Sequence, residues 1–212
     1  MSPRSFSLTD RLVAEADHAL RVVAARPRAS RPAPIGESEG ELPRTEQQLG
    51  ARLMRVNHSG EIAAQALYRG QAFVARDKQL RADLLEAAEE EHDHLAWCED
   101  RTRELGSRVS LLAPAWYAGS FAIGALAGLA GDKISLGFLA ETEKQVTEHL
   151  ESHLKRLPAS DKASRAIIEQ MREDEIKHGQ NATDRGGQAL PKPIKTAMWA
   201  ASKVMTTMSF RL

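Results

Sequence analysis

Glutamate and histidine recur in this chain at a spacing that could build a metal centre. Glu91-His92-Asp93-His94 and Glu175-Ile176-Lys177-His178 each contain Glu-x-x-His, and a lone glutamate precedes each by about thirty positions, Glu61 before Glu91 and Glu143 before Glu175. Residues i and i+3 lie on one face of a helix. Two glutamates and two Glu-x-x-His pairs, projecting inward from four helices, form the ligand set of a carboxylate-bridged di-iron or di-manganese centre. Such a centre does oxygen chemistry.

A single Glu-x-x-His is a weak signal, and the chain contains four: Glu15/His18, Glu89/His92, Glu91/His94 and Glu175/His178. Position relative to the apolar stripe separates them. At about 100° per residue, Leu84, Ala88, Leu95 and Cys98 fall on the side of Glu91 and His94, while Glu89 points away. Ile168, Met171 and Ala182 share the face of Glu175 and His178. Leu136, Leu139, Val146 and Leu150 flank Glu143, and Glu141 falls opposite. His18 lies off the stripe of its helix. A carboxylate on a core-facing stripe is costly unless it is paired or metal-bound, and these stripes carry no matching set of Lys or Arg. Divalent cations in the middle would balance the charge, and carboxylate with imidazole suits iron or manganese. Glu61 shares its face with Met54 and Ala64 but also with Asn57, His58, Gln65 and Tyr68, polar company that could orient ligands. His58, Tyr68 and His149 are the candidates to touch the ligand shell. For His149, about 120° from Glu143, a solvated position suits the spacing better.

Composition narrows the alternatives. Twenty-nine basic and 29 acidic residues leave no net charge, so an electrostatic nucleic-acid binder is not expected. The single cysteine, Cys98, excludes an internal disulfide and a cysteine-built zinc or iron–sulfur site, and reads as a buried thiol. It also excludes the four-cysteine module of a rubrerythrin-like peroxidase, which with a ferritin-like iron store is the alternative use of this ligand set.

The elements that must position these residues are helices. The predicted organisation is an N-terminal amphipathic helix over 8–25, capped by Thr9, then a Pro/Arg-rich linker (together 1–43), a four-helix bundle over 44–187, and a basic apolar helical tail over 188–212. Thr45-x-x-Gln48 reads as a capping box, Gly106 as a stop, Pro158 as a terminator and Ser160 as the cap of the last bundle helix. The two halves of the bundle repeat one plan, a lone-Glu helix followed by a Glu-x-x-His helix. Between them, Val109 to Gly131 carries no charge. It is long enough to span a bilayer, but one crossing would put the two halves of the ligand set on opposite sides of it. The segment therefore reads as a long apolar crossover between the second and third bundle helices. Either it dips into lipid with Trp116 and Tyr117 near the headgroups, the reading preferred here, or the protein buries it. The tail, with Trp199, Met205 and Phe210 beside Lys195 and Lys203, is either a second membrane contact or a helix docked on the bundle.

The run Arg55-Val56-Asn57-His58-Ser59-Gly60-Glu61-Ile62-Ala63-Ala64-Gln65-Ala66-Leu67-Tyr68-Arg69-Gly70-Gln71 strongly resembles the opening signature of the demethoxyubiquinone hydroxylase family. Glu91-x-x-His94, the apolar crossover, Glu143 and Glu175-x-x-His178 follow in that family's order, over roughly residues 45–185. The resemblance implies an all-α, ferritin-like bundle bound peripherally to the inner (cell) membrane, on the cytoplasmic side in a bacterium. It implies two iron ions held by Glu61, Glu91, His94, Glu143, Glu175 and His178, with Glu91 and Glu175 bridging. The implied reaction is the O2-dependent hydroxylation of a polyprenyl methoxybenzoquinol in ubiquinone synthesis. A homo-oligomer or a complex with other enzymes of that synthesis is the expected assembly.

Overall fold

In the computed structural model, which describes residues 7–36 and 40–212, the chain forms α1 (Leu8–Ala24), α2 (Arg44–Val74), α3 (Lys78–Glu104), α4 (Ala113–Leu129), α5 (Asp132–Arg156), α6 (Lys162–Asp184) and α7 (Lys192–Arg211). Residues 37–39 of the expected linker lie outside the described residues. Helices α2 and α3 pack as one hairpin and α5 and α6 as another, and the two hairpins form the bundle. This is the expected all-α, ferritin-like architecture, with α4 as the crossover between the second and third bundle helices and α1 and α7 added at its ends.

Local chemistry sets the ends of these helices, though not always at the expected residues. The cap of α1 is Ser7, not Thr9; Ser7 and Asp10 form a reciprocal capping box. Asp161, not Ser160, caps α6 by accepting from the Ser164 amide. The Thr45/Gln48 box does not form, because α2 starts one residue earlier, behind Pro43. Asp77 caps α3, and Gly106, Gly131 and Gly186, at φ of 71°, 115° and 90°, end α3, α4 and α6; a side chain would be strained there.

Two apolar clusters divide the interior along the helix axes. One joins Met54, Cys98, Leu150, Ile168 and Met171; the other joins Tyr68, Leu84, Leu139 and Ala182. In each bundle helix the Glu and His of interest lie between the residues given to the two clusters, so the polar layer is sealed above and below by hydrocarbon.

Helix α4 lies along α2 at very close range. A Cβ at Gly124 would run into the Leu67 carbonyl, and one at Gly70 into the Phe121 carbonyl, so glycine is what permits the approach. At 17 residues α4 is about 25 Å long, short of the roughly 30 Å hydrocarbon core. Among the described residues no helix is long and apolar enough to cross a membrane. Tyr117, expected near headgroups, is instead buried beside Val22 of α1.

Helix α1 docks through a mixed face, with Ala19, Val22 and Val23 in the apolar cluster around Tyr117 and polar residues beside them. Arg69 binds Glu15 through two guanidinium contacts of 2.8 and 2.9 Å, and Arg11 donates to the Phe73 carbonyl. Leu8, Leu12, Val13 and Leu20 are left exposed.

Candidate metal centre

Each bundle helix delivers its expected residue to one place. Glu61, Glu91, His94 and Glu175 form one group, and Glu91, Glu143, Glu175 and His178 a second; within each group one ligand atom per residue lies within 4.8 Å of the others. Glu91 and Glu175 belong to both. His94 Nδ1 is 3.0 Å from Glu91, 3.2 Å from Glu175 and 3.7 Å from Glu61. His178 Nδ1 is 3.2 Å from Glu91 and 3.3 Å from Glu175. Both histidines thus turn the same ring nitrogen to the same two carboxylates, the arrangement a pseudo-two-fold repeat in sequence would give.

The rejected candidates are elsewhere. Glu89 and Glu173 are exposed. Glu141 accepts from Lys195 of α7 at 2.7 Å and from Gln145 at 2.9 Å.

Electrostatics show what this layer lacks. Burial, with Glu91 and Glu175 nearby, lifts the Glu61 carboxyl well above its usual range despite the contact with His94. Burial and Glu175 do the same to Glu143. Burial works against charge on Glu91, but hydrogen bonds to His178 and His94 outweigh it and hold that group low. His178 is disfavoured as a cation by burial, yet Glu175 and Glu91 push it up to about 12. The protein alone can keep this layer only by loading it with protons, and it does so incompletely. Both Glu143 oxygens are buried without a hydrogen-bond partner. Orphaned carboxylate oxygens beside imidazoles that are charged only for want of another cation fit metal ions, and two four-residue groups sharing two carboxylates fit a pair of them.

The three residues expected to touch the ligand shell have different fates. His58 is buried with Nε2 3.5 Å from Glu99, facing that residue and not a ligand carboxylate. Tyr68 is fully buried in an apolar cluster with its hydroxyl unpartnered. His149 is not solvated, as its spacing suggested; its Nε2 is buried and unpartnered, because α7 covers this side of α5. Burial holds its imidazole down to about 4.

Two carboxylates escaped the sequence reading. The outer nitrogen of His94, Nε2, is 3.2 Å from Asp174, and that of His178 is 2.5 Å from Glu90. Each is the acidic residue immediately before a shared glutamate, on the opposite Glu-x-x-His helix. That repetition was the available signal. Both sit about 100° from the ligand face, where an acid reads as solvated.

Beside Glu61 opens an apolar cavity of about 290 Å³ between α2, α4, α5 and α7, lined by Ala64, Trp116, Ile123, Phe138, His149 and Met205 among others. A second, polar cavity reaches His178 past Glu90 and Asp184.

Comparison with known proteins agrees with this picture. The family model described as ubiquinone biosynthesis protein COQ7 matches residues 48–209. The 3-demethoxyubiquinol 3-hydroxylase of Ralstonia pickettii (strain 12J) is similar to the chain, 55% identical over 217 residues that cover 97% of the chain and 100% of the relative. The protein of that name from Polynucleobacter necessarius subsp. necessarius (strain STIR1) is 58% identical over 205 residues, covering 96% and 98%. That from Variovorax paradoxus (strain S110) is 55% identical over 207 residues, covering 97% and 99%.

Proposed function

The chain belongs to the ubiquinone biosynthesis protein COQ7 family, and from that premise we propose that it is a 3-demethoxyubiquinol 3-hydroxylase with a di-iron centre. The observation that carries the reading is a buried pair of Glu/His groups sharing Glu91 and Glu175, with an apolar cavity reaching Glu61. Glu61 and His94 would hold one iron and Glu143 and His178 the other, with Glu91 and Glu175 within reach of both. When bound, the two irons supply the reduction of O2 and the oxidising power for hydroxylation. One oxygen atom enters a ring C–H bond as C–OH and the other leaves as water, with two protons and two electrons taken from an external two-electron reductant.

The chain's own residues bind, orient and exclude water. The apolar cavity receives the quinol ring, and its walls from α2 and α5 keep water from the reacting carbon. His149, held neutral by burial, forms part of the wall of that cavity. Gly60 and Ala64, small residues flanking Glu61, leave the ring room beside it. The prenyl tail leaves between α4 and α7, past Ile123 and Met198, both of which line the cavity.

The same helices carry the proposed membrane contact. Leu111, Leu126 and Leu129 near or on α4, and Ile194, Trp199 and Val204 on α7, are exposed, as is the outer stripe of α1. Apolar surface of this kind, beside a cavity for a polyprenyl substrate, suits a protein seated on the inner face of the cell membrane without crossing it. Quinone profiling of cells lacking the protein tests the activity: a quinone short of one methoxy group accumulates, and an unchanged profile overturns the reading.

A further inference from the structure

The arm between α1 and α2 reaches the back of the metal centre. We propose that Arg31, on this arm, is a positioning residue that fixes His94 through Asp174 and so sets the two halves of the centre apart. This rests on the metal-centre reading above.

His94 is fully buried. Its Nδ1 faces the carboxylates, so a metal there leaves Nε2 carrying the proton and donating to Asp174 at 3.2 Å. Asp174 is in turn held from outside. Arg31 Nη1 reaches it at 3.2 Å, while Arg31 Nε reaches Asp93, the residue before His94, at 2.9 Å. One guanidinium therefore ties α3 to α6 directly behind the histidine, joining two carboxylates that would otherwise repel. Its planar fork can span both, which a lysine ammonium cannot.

Arg31 is itself placed by the body of the protein. Its carbonyl accepts from Trp97 Nε1 at 3.2 Å. Its guanidinium stands 5.1 Å from the centre of the Trp97 ring, and that ring is 5.4 Å from His94. Asp93 also accepts from the Ser30 amide at 2.6 Å. Farther along, Gly36 lies so close to the backbone of Lys162 and Ala163 that a Cβ would collide with it. These contacts come from both ends of the described arm.

Among the described residues the other half has no counterpart. His178 Nε2 leans on Glu90, whose side chain is 51% exposed, and the described arm contributes no contact there. A histidine whose outer nitrogen is held by a fixed carboxylate binds metal in one orientation, and losing such a partner typically weakens binding tenfold to a hundredfold. Gln170 and Lys177 of the same helix also reach Asp174, at 3.1 and 3.3 Å, but only Arg31 ties it across to α3, and it leaves His178 without that tie.

The test titrates Co2+ into the metal-free full chain anaerobically, following the visible absorption of each ion and competing with a chelator. Wild type is expected to bind two Co2+ with unequal affinity. Arg31→Ala should weaken the tighter one about tenfold or more, alter its spectrum, and leave the weaker one unchanged. Arg31→Lys should fall between the two, and Glu90→Gln should affect only the weaker ion. Asp174→Asn, which leaves the arm tied to Asp93, should repeat the Arg31→Ala pattern and replaces that variant if it fails to fold. Wild-type affinities and spectra at both ions in a folded Arg31→Ala or Asp174→Asn protein overturn the proposal, as does an equal loss at both ions. Failure of wild type to bind Co2+ instead overturns the metal-centre reading beneath it, and the proposal with it.

Discussion

His94 and His178 turn Nδ1 to the same pair of glutamates, but what stands behind them differs. Asp174, behind His94, is mostly buried and gripped by Arg31; Glu90, behind His178, is half exposed and borders a polar cavity. A repeated sequence plan thus produces two metal half-sites of unlike stiffness. The repeat specifies ligands, while residues outside the repeat decide how firmly each is held.

The sharpest way to break the comparison is to remove a shared residue and then an unshared one. Glu175→Ala should lose most bound iron and reduce quinol hydroxylation to background. Glu61→Ala should keep about one iron per chain, on the Glu143/His178 side, since four of that group's residues remain. Equal metal loss in the two variants, measured by elemental analysis, would show that Glu91 and Glu175 are not shared as described.

The second test contrasts the packing of α4 on α2 with that of α6 on α5. Gly124→Ala drives a methyl into the Leu67 carbonyl and should cost about 1–3 kcal/mol of stability without changing metal affinity per folded chain. Gly179→Ala brings a Cβ to 3.3 Å from Cβ of Glu143. It should change stability little and weaken iron binding several-fold. Urea unfolding and metal titration separate the two, and a reversed pattern would contradict the placement of Glu143.

The third test sets the histidines of the centre against those beside the cavity. Burial holds His149 at about 4 and His153 at about 2, below the unfolded value near 6.5. As pH falls below about 6.5 the unfolded chain takes up these protons first, so stability drops. His178, raised to about 12, acts with the opposite sign. Its contribution to the metal-free protein is complete below about 6.5 and is lost as pH rises. Between pH 7 and 5, His153→Gln should therefore lose roughly 1–2 kcal/mol less stability than wild type, as read by urea unfolding. Identical pH slopes would mean that His153 is already charged or hydrated in the folded state.

The smallest effect is expected at the surface. Leu126→Ser with Trp199→Ser should lower co-flotation with anionic vesicles several-fold and leave iron content alone. Unchanged flotation would remove α4 and α7 from the proposed membrane face.

The buried Glu/His cluster was legible because it obeys a local rule. Glu91/His94 and Glu175/His178 are one turn apart, and their apolar neighbours fix which way they face. Glu143 was separable from Glu141 for the same reason. What surrounds the ligands was not legible. Arg31 lies 62 residues before Asp93 and 143 before Asp174, a pairing that helical periodicity cannot encode. His149 read as solvated because its burial depends on α7, an element without a ligand. How α1 docks was not legible either, because the part-buried Glu15–Arg69 pair joins residues 54 apart.

Iron is the centre of the account, and its position is the most direct test. Anomalous diffraction at the iron edge, from crystals of protein reconstituted with Fe2+ under anaerobic conditions, should show two peaks inside the bundle. One should lie against Glu61 and His94, the other against Glu143 and His178, with Glu91 and Glu175 reaching both. No peak among these six residues, or a single peak outside the shared glutamates, would contradict it.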